Sequence, residues 1–270
     1  MSNSIQILGP RGNTLSVQAT GEGQTLFLLH GFPLDHRMWN HQLSGLSDRL
    51  HVVAVQMRGF GSSTLDEPDF TIAELAQDVD FLRQHLAGGQ PIWLAGLSMG
   101  GYVALEYWRQ FSNQLRGLLL CNTKPTADNE AGKAGRLAMG QKALAEGTWA
   151  AVEPMFGKLL SEQTVASKPE VVELVKLMMQ NVAPATVAAA QNAMSQRRDF
   201  TDFLPTIQVP TLVVAGQSDA IAPATDGEVW ASKIPNSTFE VLAGTAHLSP
   251  LESPNAFNEL VLKFIGGTKN

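Results

Sequence analysis

The sequence predicts an α/β fold, a mainly parallel sheet covered by helices on both faces. Three observations carry this expectation. Apolar runs of strand length recur at residues 25–29, 51–55, 91–95, 115–120 and 211–216, and they are continuous, as strands buried on both faces must be. Helical spacing separates these runs, the rhythm of strands joined by crossover helices. From residue 125 to 202 the strand signal stops, and a stretch rich in Ala, Met, Gln and Glu reads as a helical insertion.

Residues 4–8 and 14–19 alternate about the turn Gly9-Pro10-Arg11-Gly12-Asn13, which is a hairpin signal. The run 25–29 ends in the loop His30-Gly31-Phe32-Pro33-Leu34-Asp35, and 39–46 reads as helix. Strand 51–55 is followed by the glycine-rich loop Arg58-Gly59-Phe60-Gly61-Ser62-Ser63. Thr71-Ile72-Ala73-Glu74 has the form of a capping box, and Ile72, Leu75, Ala76, Val79, Leu82 and Leu86 keep helical spacing as far as Gly88-Gly89. Strand 91–95 runs almost directly into a helix over 99–111, and strand 115–120 follows. Inside the insertion, helical patches fall at 136–146, 148–160, 170–181 and 186–196. The alternation resumes with strand 211–216, helix 225–232 and strand 237–242. Ser253, as N-cap, and Pro254, at the first helical position, open a last helix to residue 265. The core therefore comprises 1–124 and 203–270, with 125–202 as an inserted lid.

At 270 residues the chain suits one large domain or a domain with an insertion. Its composition, 44% hydrophobic and 16% charged, is that of a soluble globular protein. A net charge of −6 argues against nucleic acid or an anionic membrane as partner. The single cysteine, Cys121, leaves no internal disulfide and fits a reducing compartment. Met1-Ser2-Asn3-Ser4 lacks the basic start of a signal peptide, and no apolar run approaches the ~20 residues that span a bilayer. The expectation is a cytoplasmic protein.

Chemistry concentrates at Gly96-Leu97-Ser98-Met99-Gly100, where a serine is wedged between strand and helix as in a nucleophile elbow. The same string occurs in ordinary glycine-rich loops; the strand before it and the helix after it favour the functional reading. A serine hydroxyl needs a positioned base, oriented in turn by a carboxylate. In a parallel sheet such groups gather in the loops after strands. Of six histidines, His36, His41, His51 and His85 fall at positions suited to surface or packing roles, and His30 is tied into a tight turn with Gly31. His247 lies between the last strand and the last helix and is the candidate base. Asp219 follows strand 211–216 and is the candidate acid, although a turn-forming Asp after Gly216-Gln217-Ser218 is the plainer alternative. The strand before it runs into Cys121-Asn122-Thr123 and offers no acid, and Asp226 reads as an early helix residue. Oxyanion donors are expected from the backbone N–H groups of Met99, at a helix start, and Phe32, after His30-Gly31. No dinucleotide fingerprint follows a strand, and neither a Walker lysine nor His-Glu-x-x-His is present. Cys121 reads as a small core residue, and no metal or organic cofactor is expected.

Taken together, Gly96–Gly101, His30-Gly31, Arg58–Ser63, Asp219, and His247 with Glu252 and Pro254 resemble the α/β-hydrolase superfamily over nearly the whole chain. The resemblance implies an eight-stranded sheet, a lid between the sixth and seventh strands, and Ser98, Asp219 and His247 as the triad. Gln56 departs from the pattern, since relatives usually carry Asp two residues before Arg58. Within the superfamily the chain is similar to small esterases, enol-lactone hydrolases and cofactor-free haloperoxidases with perhydrolase activity. That implies a small ester or lactone as substrate. Pro33, after the oxyanion residue, is similar to the perhydrolase form; loop stiffening is its plain alternative. A further alternative is a sensor of small ligands that keeps the triad without turnover. Trp149, Met155, Phe156, Met178 and Met179 are candidates for an apolar acyl pocket, against a packing role. Arg136, Arg197 and Arg198 are candidates to hold a substrate carboxylate, against a solvated surface.

Overall fold

Each apolar run becomes a strand of one eight-stranded sheet in a computed structural model that describes residues 3–268, leaving Met1, Ser2, Lys269 and Asn270 outside the described residues. The strands are β1 (Asn3–Leu8), β2 (Thr14–Thr20), β3 (Gln24–Leu29), β4 (Leu50–Gln56), β5 (Ile92–Leu97), β6 (Leu115–Cys121), β7 (Thr211–Gly216) and β8 (Ser237–Leu242). Their order is β1-β2-β4-β3-β5-β6-β7-β8. The hairpin β1–β2 and the pair β2–β4 are antiparallel; every other neighbour is parallel. All six residues of β5 and of β7 are buried, which explains runs with no polar alternation.

Crossovers are made by α1 (Asn40–Leu46), α2 (Ile72–Leu86) and α3 (Met99–Phe111), and α9 (Ala224–Ala231) links β7 to β8. After β8 come a short α10 (Ser249–Glu252) and α11 (Pro254–Gly267). Helix α1 packs on α11 and α2 on α3, so the sheet is covered on both faces. The capping box forms as read: the Thr71 hydroxyl accepts from the Glu74 N–H at 3.1 Å, and Glu74 accepts from the Thr71 N–H at 2.8 Å. Ser253 does not cap α11. Its side chain makes no capping bond, and its N–H donates to the Ser249 carbonyl at 2.9 Å to close α10.

Between β6 and β7 lie α4 (Glu130–Glu146), α5 (Thr148–Phe156), α6 (Glu162–Ser167), α7 (Pro169–Gln180) and α8 (Pro184–Ser195). Helix α4 starts earlier than the apolar spacing indicates, because the Asn129 side chain caps the Gly132 N–H at 2.8 Å. Helix α5 stops at Phe156, with Pro154 in its last turn. The unforeseen α6 is capped by the Ser161 hydroxyl on the Thr164 N–H.

Register decides where chemistry can gather. Leu29 pairs with Gly96, Leu97 with Cys121, Cys121 with Val214, and Gly216 with Leu242. The carboxyl ends of β3, β5, β6, β7 and β8 therefore form one row. No helix among the described residues is long and apolar enough to cross a membrane.

Candidate active site

Ser98 sits where β5 turns into α3, with φ 54° and ψ −112°, a conformation costly for a residue with a side chain. The flanking glycines make the turn possible. A Cβ on Gly96 would stand 2.1 Å from the Gly100 carbonyl oxygen, and one on Gly100 would stand 2.4 Å from the Leu29 oxygen. Two neighbours fix the serine backbone. Its N–H donates to the Cys121 carbonyl at 3.0 Å, and its carbonyl accepts from the Thr123 hydroxyl at 2.8 Å.

Asp219 and His247 meet in the loops after β7 and β8. His247 Nδ1 lies 2.8 Å from Asp219 Oδ2, with both residues buried. The same Oδ2 accepts from Asn122 Nδ2 at 2.9 Å, while Oδ1 accepts from the N–H groups of Ile221 (2.8 Å) and Ala222 (3.0 Å). Burial pushes the Asp219 carboxyl up. The hydrogen bond and charge of His247, with the Ala222 and Asn122 donors, outweigh it and leave the group below its ordinary value. A carboxylate acceptor on Nδ1 assigns the imidazole proton there, so Nε2 carries the free lone pair.

The loop after β3 lies beside the serine: a Cβ on Gly31 would stand 3.4 Å from Ser98 Cβ. His30 holds this loop. The Met57 N–H donates to its Nε2 at 3.1 Å, which leaves Nδ1 to donate to the Gly31 carbonyl at 3.0 Å. Burial pushes the His30 pKa down to about 4, so the ring is neutral near pH 7. The Phe32 N–H has no acceptor among the described residues. Met99 opens α3, where a first-turn N–H has no intrahelical partner. Pro33 is buried and follows Phe32 through a cis peptide.

Gln56, the departure from the family pattern, makes loop contacts of its own. It is buried, accepting from the Ser62 N–H at 2.7 Å and donating to the Ser16 hydroxyl at 3.0 Å. The expected arginine surface is corrected. Arg197 is buried with its guanidinium 4.3 Å from the Tyr102 ring centroid, and both it and Arg136 bond Asp128. Burial opposes ionisation of Asp128, but the two arginines hold its carboxyl well below the usual range. Only Arg198 of the three is exposed. Trp149 and Phe156 pack edge to face at 5.9 Å, with Lys176 Nζ 5.9 Å from the indole. Met155 is half-buried, and Met178 and Met179 are fully buried.

Sequence reasoning quoted Glu252 as a family mark but assigned it no part in the candidate site. Its carboxylate accepts from the Ala246 N–H and the Ser161 N–H, each at 2.7 Å, tying the His247 loop to the start of α6. Among the described residues no group of three or more His, Cys, Asp or Glu side chains is placed to ligate a metal ion. Cys121 is buried at the end of β6, and burial pushes its thiol pKa far up, as for an inert core residue.

A serine elbow and a buried Asp–His pair, on one edge of a mostly parallel sheet, are the marks of a hydrolase fold. The family described as alpha/beta hydrolase fold matches residues 24–254, and the chain belongs to it. It is 27% identical to 3-oxoadipate enol-lactonase 1 of Acinetobacter baylyi over 97% of each chain. It is also 27% identical to a putative non-heme chloroperoxidase of Synechocystis, over 91% of this chain and 92% of that one. Among solved structures, a thermophilic esterase from Thermogutta terrifontis superposes with a TM-score of 0.94 at 36% identity, over 98% of both chains.

Proposed function

We propose that the chain is a serine hydrolase of small carboxylic esters or lactones that works through an acyl-enzyme on Ser98. The hydrogen-bonded Asp219–His247 pair, on the same sheet edge as the strained Ser98, carries this reading. The esterase and lactonase relatives support the substrate class. Ser98 Oγ attacks the carbonyl carbon while His247 Nε2 takes its proton, and Asp219 stabilises the imidazolium. Charge on the carbonyl oxygen is received by the N–H groups of Phe32 and Met99, and loss of one such donor costs ~3 kcal/mol. The leaving alcohol takes the proton from His247, and water then repeats the sequence to release the acid.

Residues 125–202 act as a lid, and Trp149, Met155, Phe156 and Met178 contribute to its acyl pocket. The net charge of −6 supports a small-molecule role without nucleic acid or membrane, and the lone reduced-type cysteine supports a cytoplasmic site of action. Turnover of p-nitrophenyl acetate tests the reading. Ser98→Ala should lower kcat by roughly 10⁴-fold or more with folding intact; retained turnover contradicts it.

Perhydrolysis on the same triad is a second reading, favoured by Pro33 and by the chloroperoxidase relative. On that reading Pro33→Leu lowers the peroxide reaction relative to hydrolysis, and an unchanged ratio removes it.

A further inference from the structure

We propose that Asn122 is the positioning residue of this site: its amide orients the Asp219 carboxylate toward His247, within a bracket that also holds the nucleophile. The proposal rests on the triad reading above. The bracket is Cys121-Asn122-Thr123, the turn leaving β6, and it touches all three triad loops. The Cys121 carbonyl accepts from the Ser98 N–H and the Thr123 hydroxyl donates to the Ser98 carbonyl, so the serine is gripped through the peptides on both its sides. Between them, Asn122 Nδ2 donates to Asp219 Oδ2 at 2.9 Å and to the Ala246 carbonyl at 3.0 Å. Its Oδ1 accepts from the Ser249 hydroxyl at 2.6 Å, and its backbone N–H donates to the Val214 carbonyl at 2.8 Å.

The residue type follows from these demands. Asn122 has φ 46°, a left-handed conformation in which Asn is among the few tolerated residues with a side chain. It is 2% exposed, so each of its polar groups needs the partner it has. Asp219 Oδ2 receives two donors, His247 Nδ1 and Asn122 Nδ2. Removal of the Asn122 donor leaves Oδ2 held by His247 alone, with only Oδ1 still fixed by the Ile221 and Ala222 N–H groups, and releases the peptide immediately before His247. It also leaves more negative charge on Oδ2, which favours the protonated form of the catalytic pair and so moves the acid limb of the rate to higher pH. The charged groups around the pair are Glu252 beneath the His247 loop, Lys168 on the Glu252 carbonyl, Lys124 two residues beyond Asn122, and Lys158 and Glu162 across the cleft bordered by Ser218 and Ala246. Substitution at 122 leaves all of them in place.

Three variants of the full chain test the proposal, with p-nitrophenyl acetate as substrate and rates normalised to active sites titrated by a fluorophosphonate. Asn122→Gly keeps the left-handed backbone and deletes the side-chain bonds. Asn122→Asp keeps shape and backbone tolerance but turns a second carboxylate toward Asp219. Thr123→Val removes only the grip on the Ser98 carbonyl. For Asn122→Gly we expect kcat per titrated site to fall about 10–100-fold with KM within about twofold, and the acid limb of kcat/KM to move to higher pH. Asn122→Asp should move that limb further, by about one pH unit, without restoring kcat. Thr123→Val should lower kcat and leave the limb in place. Wild-type kcat per titrated site and an unmoved acid limb in both Asn122 variants overturn the proposal, even if fewer molecules are active. If Ser98→Ala is inactive in the same assay, that result removes this inference alone; an active Ser98→Ala removes the triad reading beneath it.

Discussion

At the scale of single residues, His30 shows how the site loop is held by a group that takes no proposed part in the chemistry. Its ring bridges the Met57 N–H and the Gly31 carbonyl, which requires one neutral tautomer. The sign of the stability effect follows. An unfolded histidine protonates near 6.5, whereas the buried ring resists until about pH 4. Between those values the unfolded chain binds a proton that the native ring does not, so stability falls as pH drops through the window, by about 3 kcal/mol in all. Denaturant titrations from pH 7.5 to 4 should show a shallower loss in His30→Gln than in the parent chain; equal slopes contradict the assignment. The sequence tied His30 into a tight turn with Gly31 but carried no sign that its second nitrogen reaches Met57. Asp219 and His247 were legible because each lies in the loop after a strand whose end must lie in the row. Asn122 was passed over because that position was searched for an acid, and its signal is a backbone angle and four partners distant in sequence.

At the scale of elements, local chemistry was readable wherever the signal was local. The capping box at Thr71 and the start of α3 at Met99 needed no tertiary information. Helices α6 and α10 were not readable, since at six and four residues neither shows a full apolar face. Tertiary pairing also hid the arginine cluster. Arg197 is surface-like in sequence, yet it is buried between Asp128, 69 positions away, and the Tyr102 ring on α3. Asp128→Asn leaves that guanidinium buried without its anion and should destabilise the fold by about 3 kcal/mol. Chemical denaturation measures this, and a change under ~0.5 kcal/mol contradicts the buried-pair account.

At the scale of the molecule, the strand order and register bring five strand ends into one row, and the helical segment 125–202 is attached around it. One attachment is Arg197, held by Asp128 and stacked over the Tyr102 ring of α3. A second is the Leu248 N–H on the Leu159 carbonyl and Glu252 on the Ser161 N–H. A third is the Thr186 hydroxyl on the Gly59 carbonyl at 3.0 Å. These contacts fix the segment to the loops that carry the candidate site. Sequence patterning shows that such a segment exists but does not say which of its apolar residues pack and which meet a substrate, because Met178 and Trp149 serve packing and lining equally well as residue types. The central claim is that Ser98 is the nucleophile, activated by the Asp219–His247 pair at the same end of the sheet. Its most direct measurement is the covalent adduct formed with a fluorophosphonate, mapped by peptide mass spectrometry. The account predicts one equivalent of label on Ser98 and none on the Ser98→Ala chain. Label on a different residue, or an unlabelled chain that still turns over ester, contradicts it.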